Sequence, residues 1–189
     1  MIEVLVTLII VVLGLLGLLG MQARGQQATL ESYQRAQALI LLADMADRLN
    51  ANRKTAPCYE ITTGAGSPYF GTGYSGTPAC VGYGDPSTQV LAVNGMNAWN
   101  DALKGAAEKS AGASVGAMVG ARGCITYDPA NGTFIVAVAW QGFSDTIAPV
   151  VPAGATAATA NAIACGTGLY DVETKRRVVW TPIRIATLT

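Results

Sequence analysis

From Val4 to Met21 the chain is apolar at nearly every position, broken by Thr7 and three glycines. As a helix, MIEVLVTLIIVVLGLLGLLGM measures roughly 31 Å at ~1.5 Å per residue, close to the ~30 Å hydrocarbon core of a bilayer. Beyond Met21 the pattern turns amphipathic without an evident stop. Leu39, Leu42, Ala46 and Leu49 recur at helical spacing, Met45 widens the stripe, and Asp44 and Arg48 stand as an i,i+4 acid-base pair. One helix is therefore expected to reach about Asn52, with its first half facing lipid or a helix bundle and its second half packing on a sheet. A separate soluble helix after a break at Gly25 is the alternative. Gly14, Gly17 and Gly20 permit close helix approach and mark where the helix is easiest to unwind.

Pro57 to Gly84 reads as a loop, dense in Gly, Thr, Pro and Tyr. Asn94 to Lys109 carries Met96, Trp99 and Leu103 on one helical face, and the Gly-rich tract after it ends that helix. The clearest strand signal follows: CITYD, the turn PANG, then TFIVAVAWQG, in which Phe134, Val136, Val138 and Trp140 alternate with Ile135, Ala137 and Ala139. Ser144 to Gly168 reads as a second loop. KRRVVWTPIRIATL then forms a final strand over 176–187, with Val179, Ile183 and Ile185 on one face, Arg184 pointing away and Pro182 placing it at an edge or a bulge. The fold class is α+β: a long N-terminal helix, anchor and spine together, packed on a small antiparallel sheet with disulfide-stapled loops. The division is residues 1–24 as the transmembrane or helix-bundle half of the first helix and 25–189 as a globular head that includes the second half of the spine.

Composition narrows the chemistry. Among 189 residues there is no histidine, which removes Ser-His-Asp and Cys-His catalytic sets and imidazole metal sites. No enzymatic activity and no cofactor is expected. Twelve basic and twelve acidic residues cancel, against a nucleic-acid surface. Four widely spaced cysteines, Cys58, Cys80, Cys124 and Cys165, contain no CxxC pair and point to disulfides in an oxidising compartment. Of the three connectivities, Cys58–Cys80 closes the long loop and Cys124–Cys165 ties the hairpin to the final strand. This pairing is provisional, because spacing alone does not choose. Asp128 with Asn131, and Asp171 with Glu173, lack the spacing of a calcium loop and read as turn and surface residues. Gly71, Gly73 and Gly76 lack the strand-to-helix context of a phosphate loop. The tyrosines Tyr59, Tyr69, Tyr74 and Tyr83 with Phe70 offer either an adhesive face or packing of the loop onto the head. Arg176 and Arg177 are candidate partner-binding residues, with a solvated strand end as the other reading.

Glu3 is the anomaly of the first segment. A carboxylate carried into lipid costs roughly 2.5–3.5 kcal/mol on an insertion scale unless a partner meets it. A cleavable signal peptide lacks its basic start and cleavage site here, and a plain anchor has Glu3 reach to the interface. M-I-E-V-L-V-T-L, however, resembles the start of type IV pilin-like proteins, in which a leader ending in Gly is cut before a mature sequence whose early acid is followed by Val. That pattern expects a leader, the cleavage-site Gly and two mature residues upstream of Met1. The resemblance implies that Glu3 faces the N-terminal amine of a neighbouring subunit, a buried pair that sets register in a fibre.

GCITYDPANGTFIVAVAWQG followed by CGTGLYDVETKRRVVWTPIRIATL resembles the C-terminal half of PilV-type minor pilins, the type IV pilus modification proteins, through Trp140, Cys165, Arg176 and Arg177. The resemblance implies a pilin-like fold and a minor pilin that joins other minor pilins and the major pilin in a priming complex at the pilus tip and supports display of a tip adhesin. It further implies cleavage and N-methylation by the prepilin peptidase, and a single-pass inner-membrane stage with a periplasmic head before surface incorporation. A type II secretion pseudopilin and a DNA-uptake pilin are the nearer alternatives, and an anchored periplasmic enzyme the remote one.

Overall fold

The computed structural model describes residues 2–106, 109–114, 116 and 118–185. They fall into two compact units that divide between Ala36 and Gln37. One helix, α1 (Ile2–Ala51), contributes to both and runs unbroken through Gly14, Gly17, Gly20 and Gly25, so the separate-helix alternative does not hold. In the first unit its apolar residues from Ile2 to Met21 are exposed. Among the described residues α1 is the helix long and apolar enough to cross a membrane by length and composition.

The second unit is an α+β head. After α1 come a 3-10 turn (Arg53–Tyr59), β1 (Phe70–Gly71), α2 (Pro86–Leu103), β2 (Lys109–Ser110), β3 (Ala113–Ser114), β4 (Arg122–Asp128), β5 (Thr133–Gln141), α3 (Ala157–Ile163), a second 3-10 turn (Glu173–Lys175) and β6 (Arg176–Arg184). The main sheet is antiparallel in the order β1-β4-β5-β6, and β2 and β3 pair as a separate small ribbon. Asp128 pairs with Thr133 across the Asn131-Gly132 turn, where Gly132 takes φ +59°, so the hairpin forms where the sequence placed it. β6 pairs along the whole of β5 and forms an edge, with Pro182 opposite Ile135. Residues 186 and 187 of the expected strand lie outside the described residues.

Alternation along β5 divides the core between two faces. Phe134, Val136, Val138 and Trp140 meet Ala38, Leu42, Met45 and Leu49 of α1 and Ala92, Met96, Trp99 and Leu103 of α2. Of the expected stripe of α1, Leu42, Met45 and Leu49 are buried and Ala46 is half-buried, whereas Leu39 is half exposed and Ala38 takes its place in the core. Asp44 and Arg48 pair as expected, with both carboxylate oxygens within 3.0 Å of Arg48 Nε. On the opposite face the small side chains of Ala137 and Ala139 let α3 approach, and Ala158 and Ala162 pack there with Ile135.

Two helices differ from the expected elements. The second helix begins at Pro86, not Asn94, because Asp85 caps it: the carboxylate accepts from Thr88 N and Thr88 Oγ1 accepts from Asp85 N, with Pro86 in the first turn. It ends at Leu103, and Lys109 lies in β2; residues 107 and 108 of its expected end lie outside the described residues. The segment 144–168 is not all loop, since α3 forms within it, N-capped by Thr156 Oγ1 accepting from Thr159 N.

Cys58 is bonded to Cys80 and Cys124 to Cys165, with Cα atoms 5.0 Å and 5.8 Å apart. The first closes the long loop, whose Ile61 and Thr62 N–H groups also donate to Ile125 O at the outer edge of β4. The second fastens the end of α3 to β4, whereas β6 is held by β5; the tether therefore acts on α3 and not on the final strand.

Candidate assembly and binding residues

Glu3 sits in the first turn of α1 with Ile2, Val4 and Leu5 exposed around it. A carboxylate there favours the helix locally by ~0.3–1 kcal/mol through the macrodipole, a role that needs no partner. That small term falls short of the several kcal/mol that burying the same group in lipid costs. In lipid the helix alone does not account for the residue.

Arg176 is not the surface cation that the strand-end position suggested. It is 4% exposed, donates from Nη1 to the carbonyls of Ile163 (2.7 Å) and Cys165 (3.3 Å), and pairs through Nε with Glu173 Oε2 at 2.6 Å. Both sequence readings, partner-binding and solvated end, are overturned for it. The cause is α3, which reading 144–168 as loop left out: its last carbonyls point at β6 and need donors. Arg177 donates to Thr174 O (2.9 Å) and Ser144 O (2.6 Å), holding the chain after β5 against the start of β6. Burial pushes the Glu173 carboxyl up, but the Gly168 N–H and the Arg176 guanidinium outweigh it and hold the group below the usual carboxylate range. The hydrogen bond and charge of Asp171 raise the Lys175 ammonium above its ordinary value.

Arg122, which the sequence did not single out, is the second buried guanidinium on that face. It is 8% exposed, donates to Gly120 O at 3.0 Å, and lies 5.3 Å from the ring of Tyr69 and 4.9 Å from that of Tyr170. Tyr170 donates to the same carbonyl at 3.1 Å, and burial pushes its hydroxyl up. No sequence pattern announces this cluster, because Arg122 lies 53 residues from Tyr69 and 48 from Tyr170 along the chain.

The tyrosines do not assemble into one exposed face. Tyr59 and Phe70 are fully buried, Tyr74 packs edge-on against Phe70 at 5.0 Å, Tyr69 stacks on Arg122, and Tyr83 is the exposed member. Burial raises the hydroxyls of Tyr59 and Tyr74. Asp128 serves the hairpin turn, accepting from Ala130 N (3.1 Å) and Asn131 Nδ2 (2.8 Å), while Asp171 and Glu173 are engaged by Lys175 and Arg176. Among the described residues no group of three or more Cys, Asp and Glu side chains gathers as a metal site.

Residues 20–93 match the model of a family described as Tt1218-like, type IV pilin Tt1218. The match covers less than half of the 189 residues, running from within α1 through the Cys58–Cys80 loop into α2. Over that stretch the chain is similar to type IV pilins. No curated protein and no solved structure matches it.

Proposed function

We propose that this chain is a minor subunit of a bacterial type IV pilus, of the PilV type, which joins other minor pilins and the major pilin in a priming complex at the tip and supports display of an adhesin there. On this reading it passes through the inner membrane as a single-span protein with a periplasmic head. The prepilin peptidase cleaves and N-methylates it before it enters the pilus. The observation that carries the reading is the joining, in one helix, of an exposed apolar half bearing Glu3 to a half that packs on a disulfide-stapled sheet, with the pilin family match spanning the second half and the loop after it. A scaffold of that kind presents surfaces and does not transform substrates.

Glu3→Leu in the chromosomal copy of the gene tests it. Membrane insertion should be intact or improved, since the cost of carrying a carboxylate into the membrane disappears. Incorporation into pili and surface piliation should fall sharply, because the neighbour's amine loses its partner. Cells are fractionated, and membrane-bound protein is compared with protein in sheared pili. A variant found in pili at the wild-type ratio would sink the reading.

A further inference from the structure

We propose that Asn131 is a site of spontaneous deamidation in the folded protein, set apart by structure alone from the chain's other Asn-Gly pair, Asn94-Gly95. In such a pair the deprotonated backbone nitrogen of glycine attacks the asparagine Cγ. The N–Cγ bond forms, the Cγ–Nδ2 bond breaks, ammonia leaves with a proton, and a five-membered succinimide remains. Water then adds to one of the two ring carbonyls and opens the ring to aspartate or isoaspartate. Water is the sole co-reactant, and no electrons are exchanged. Glycine favours the step because no Cβ shields its nitrogen and its backbone turns freely.

The two pairs share this chemistry and an exposed asparagine, and they differ in backbone conformation and in the burial of the glycine. Asn131 is exposed in the turn between β4 and β5, and Gly132 takes φ +59°. Among the described residues nothing accepts a hydrogen bond from Gly132 N–H, and nothing lies within 4 Å of where a Cβ would stand, so the nitrogen is open to reaction. Asn94-Gly95 lies in the middle of α2. There the glycine N–H belongs to the i→i−4 ladder, and the helical ψ of about −42° turns it away from the preceding side chain. Gly95 is also buried, with the Tyr59 hydroxyl 3.0 Å from where its Cβ would be. Reaction at Asn94 therefore waits on opening of α2, whereas Asn131 needs no unfolding.

The product is not silent. Asn131 Nδ2 donates to Asp128 Oδ2 at 2.8 Å, and conversion replaces that bond with a second carboxylate facing the first, at the turn that fixes the hairpin register. The central hairpin of the head would thus carry a chemical record of the protein's age.

The test incubates the full chain in detergent micelles in mildly alkaline buffer, in ordinary and in heavy-oxygen water, and follows both peptides by digestion and mass spectrometry. The Asn131 peptide should show the amide-to-acid mass change, with label from heavy-oxygen water, at least ~100-fold faster than the Asn94 peptide; that factor corresponds to ~2.7 kcal/mol of local opening of α2. After reduction and denaturation the two rates should converge. Asn131→Gln should abolish the change in its own peptide and leave Asn94 as it was. The proposal is overturned if Asn131 stays intact in the folded protein while the denatured chain converts, or if both asparagines convert at one rate in the folded state.

Discussion

Gly123 lies on β4 beneath the indole of Trp99, and the head's packing turns on the absence of a side chain there. A Cβ at this position would stand 2.7 Å from Leu103 Cδ1 and inside contact distance of Trp99 Cη2 and Cζ3. Trp99 has little room to yield. It is fully buried, donates from Nε1 to Leu41 O at 2.8 Å, and meets Phe70 edge-on at 5.9 Å. Gly123→Ala therefore costs ~1–3 kcal/mol in overpacking and about 1 kcal/mol if the indole gives up its hydrogen bond. The lost flexibility of the unfolded chain returns about 0.4–1 kcal/mol. With the hydrogen bond lost, a net cost of ~1–3.6 kcal/mol should lower the melting midpoint by roughly 2–14 °C, at ~2–4 °C per kcal/mol for a chain of this size. Near-ultraviolet circular dichroism of the chain in detergent reads both the midpoint and the indole's surroundings. Trp99→Phe removes the two clashing ring atoms, so the double variant should be more stable than the sum of the single changes predicts, by ~1 kcal/mol or more. An unchanged midpoint in Gly123→Ala, or strict additivity in the cycle, would refute the account.

Glu173→Gln leaves Arg176 buried with carbonyl partners alone and should destabilise the head by about 1–2 kcal/mol, discounted because the carboxylate is partly exposed. The folded carboxyl lies below its ordinary value, so its contribution is present above the unfolded pKa and lost as pH falls through the folded one. The gap between wild type and variant should therefore close in acid, and a gap that widens there contradicts the pairing. Replacing Cys58 and Cys80 by serine should cost roughly 3 kcal/mol and replacing Cys124 and Cys165 about 4, by the logarithm of loop length; equal or reversed costs in denaturant titrations count against the entropic argument. The chain lacking residues 1–24 should fold as a soluble αβ unit, because Leu42, Met45 and Leu49 keep their sheet. An all-helical circular dichroism spectrum of this fragment would rule that out.

Where a residue's neighbours are close in sequence, the pattern alone located structure well. The hairpin follows from alternation plus Asn-Gly, α1 from continuous helical periodicity, and the edge position of β6 from Pro182. The start of α2 is equally local, since Asp85, Pro86 and Thr88 form a capping signal one turn and more before the apolar face of Met96 and Trp99 begins. What stayed hidden depends on contacts between distant segments. Arg122 meets Tyr69 and Tyr170 only because the sheet and the two loops converge, and no local spacing encodes that meeting.

α3 decides where the Arg176 side chain goes. At seven residues it is too short to hold itself, and its sequence AATANAI offers little apolar surface. Thr156 caps its start, the Cys124–Cys165 bond fixes the residues just past its end, and the Arg176 guanidinium satisfies the carbonyls of Ile163 and Cys165. A cation against a helix C-terminus is worth ~0.3–1 kcal/mol when exposed and up to ~2 kcal/mol when partly buried. Read as loop, the segment leaves Arg176 with nothing to do but face outward; formed as a helix, it takes the arginine inward. The double-Arg feature thereby separates into a helix cap and a loop clasp through Arg177. Of the charged residues that the sequence offers for recognition, Glu3 is the one whose cost in a membrane the chain's own helix does not offset.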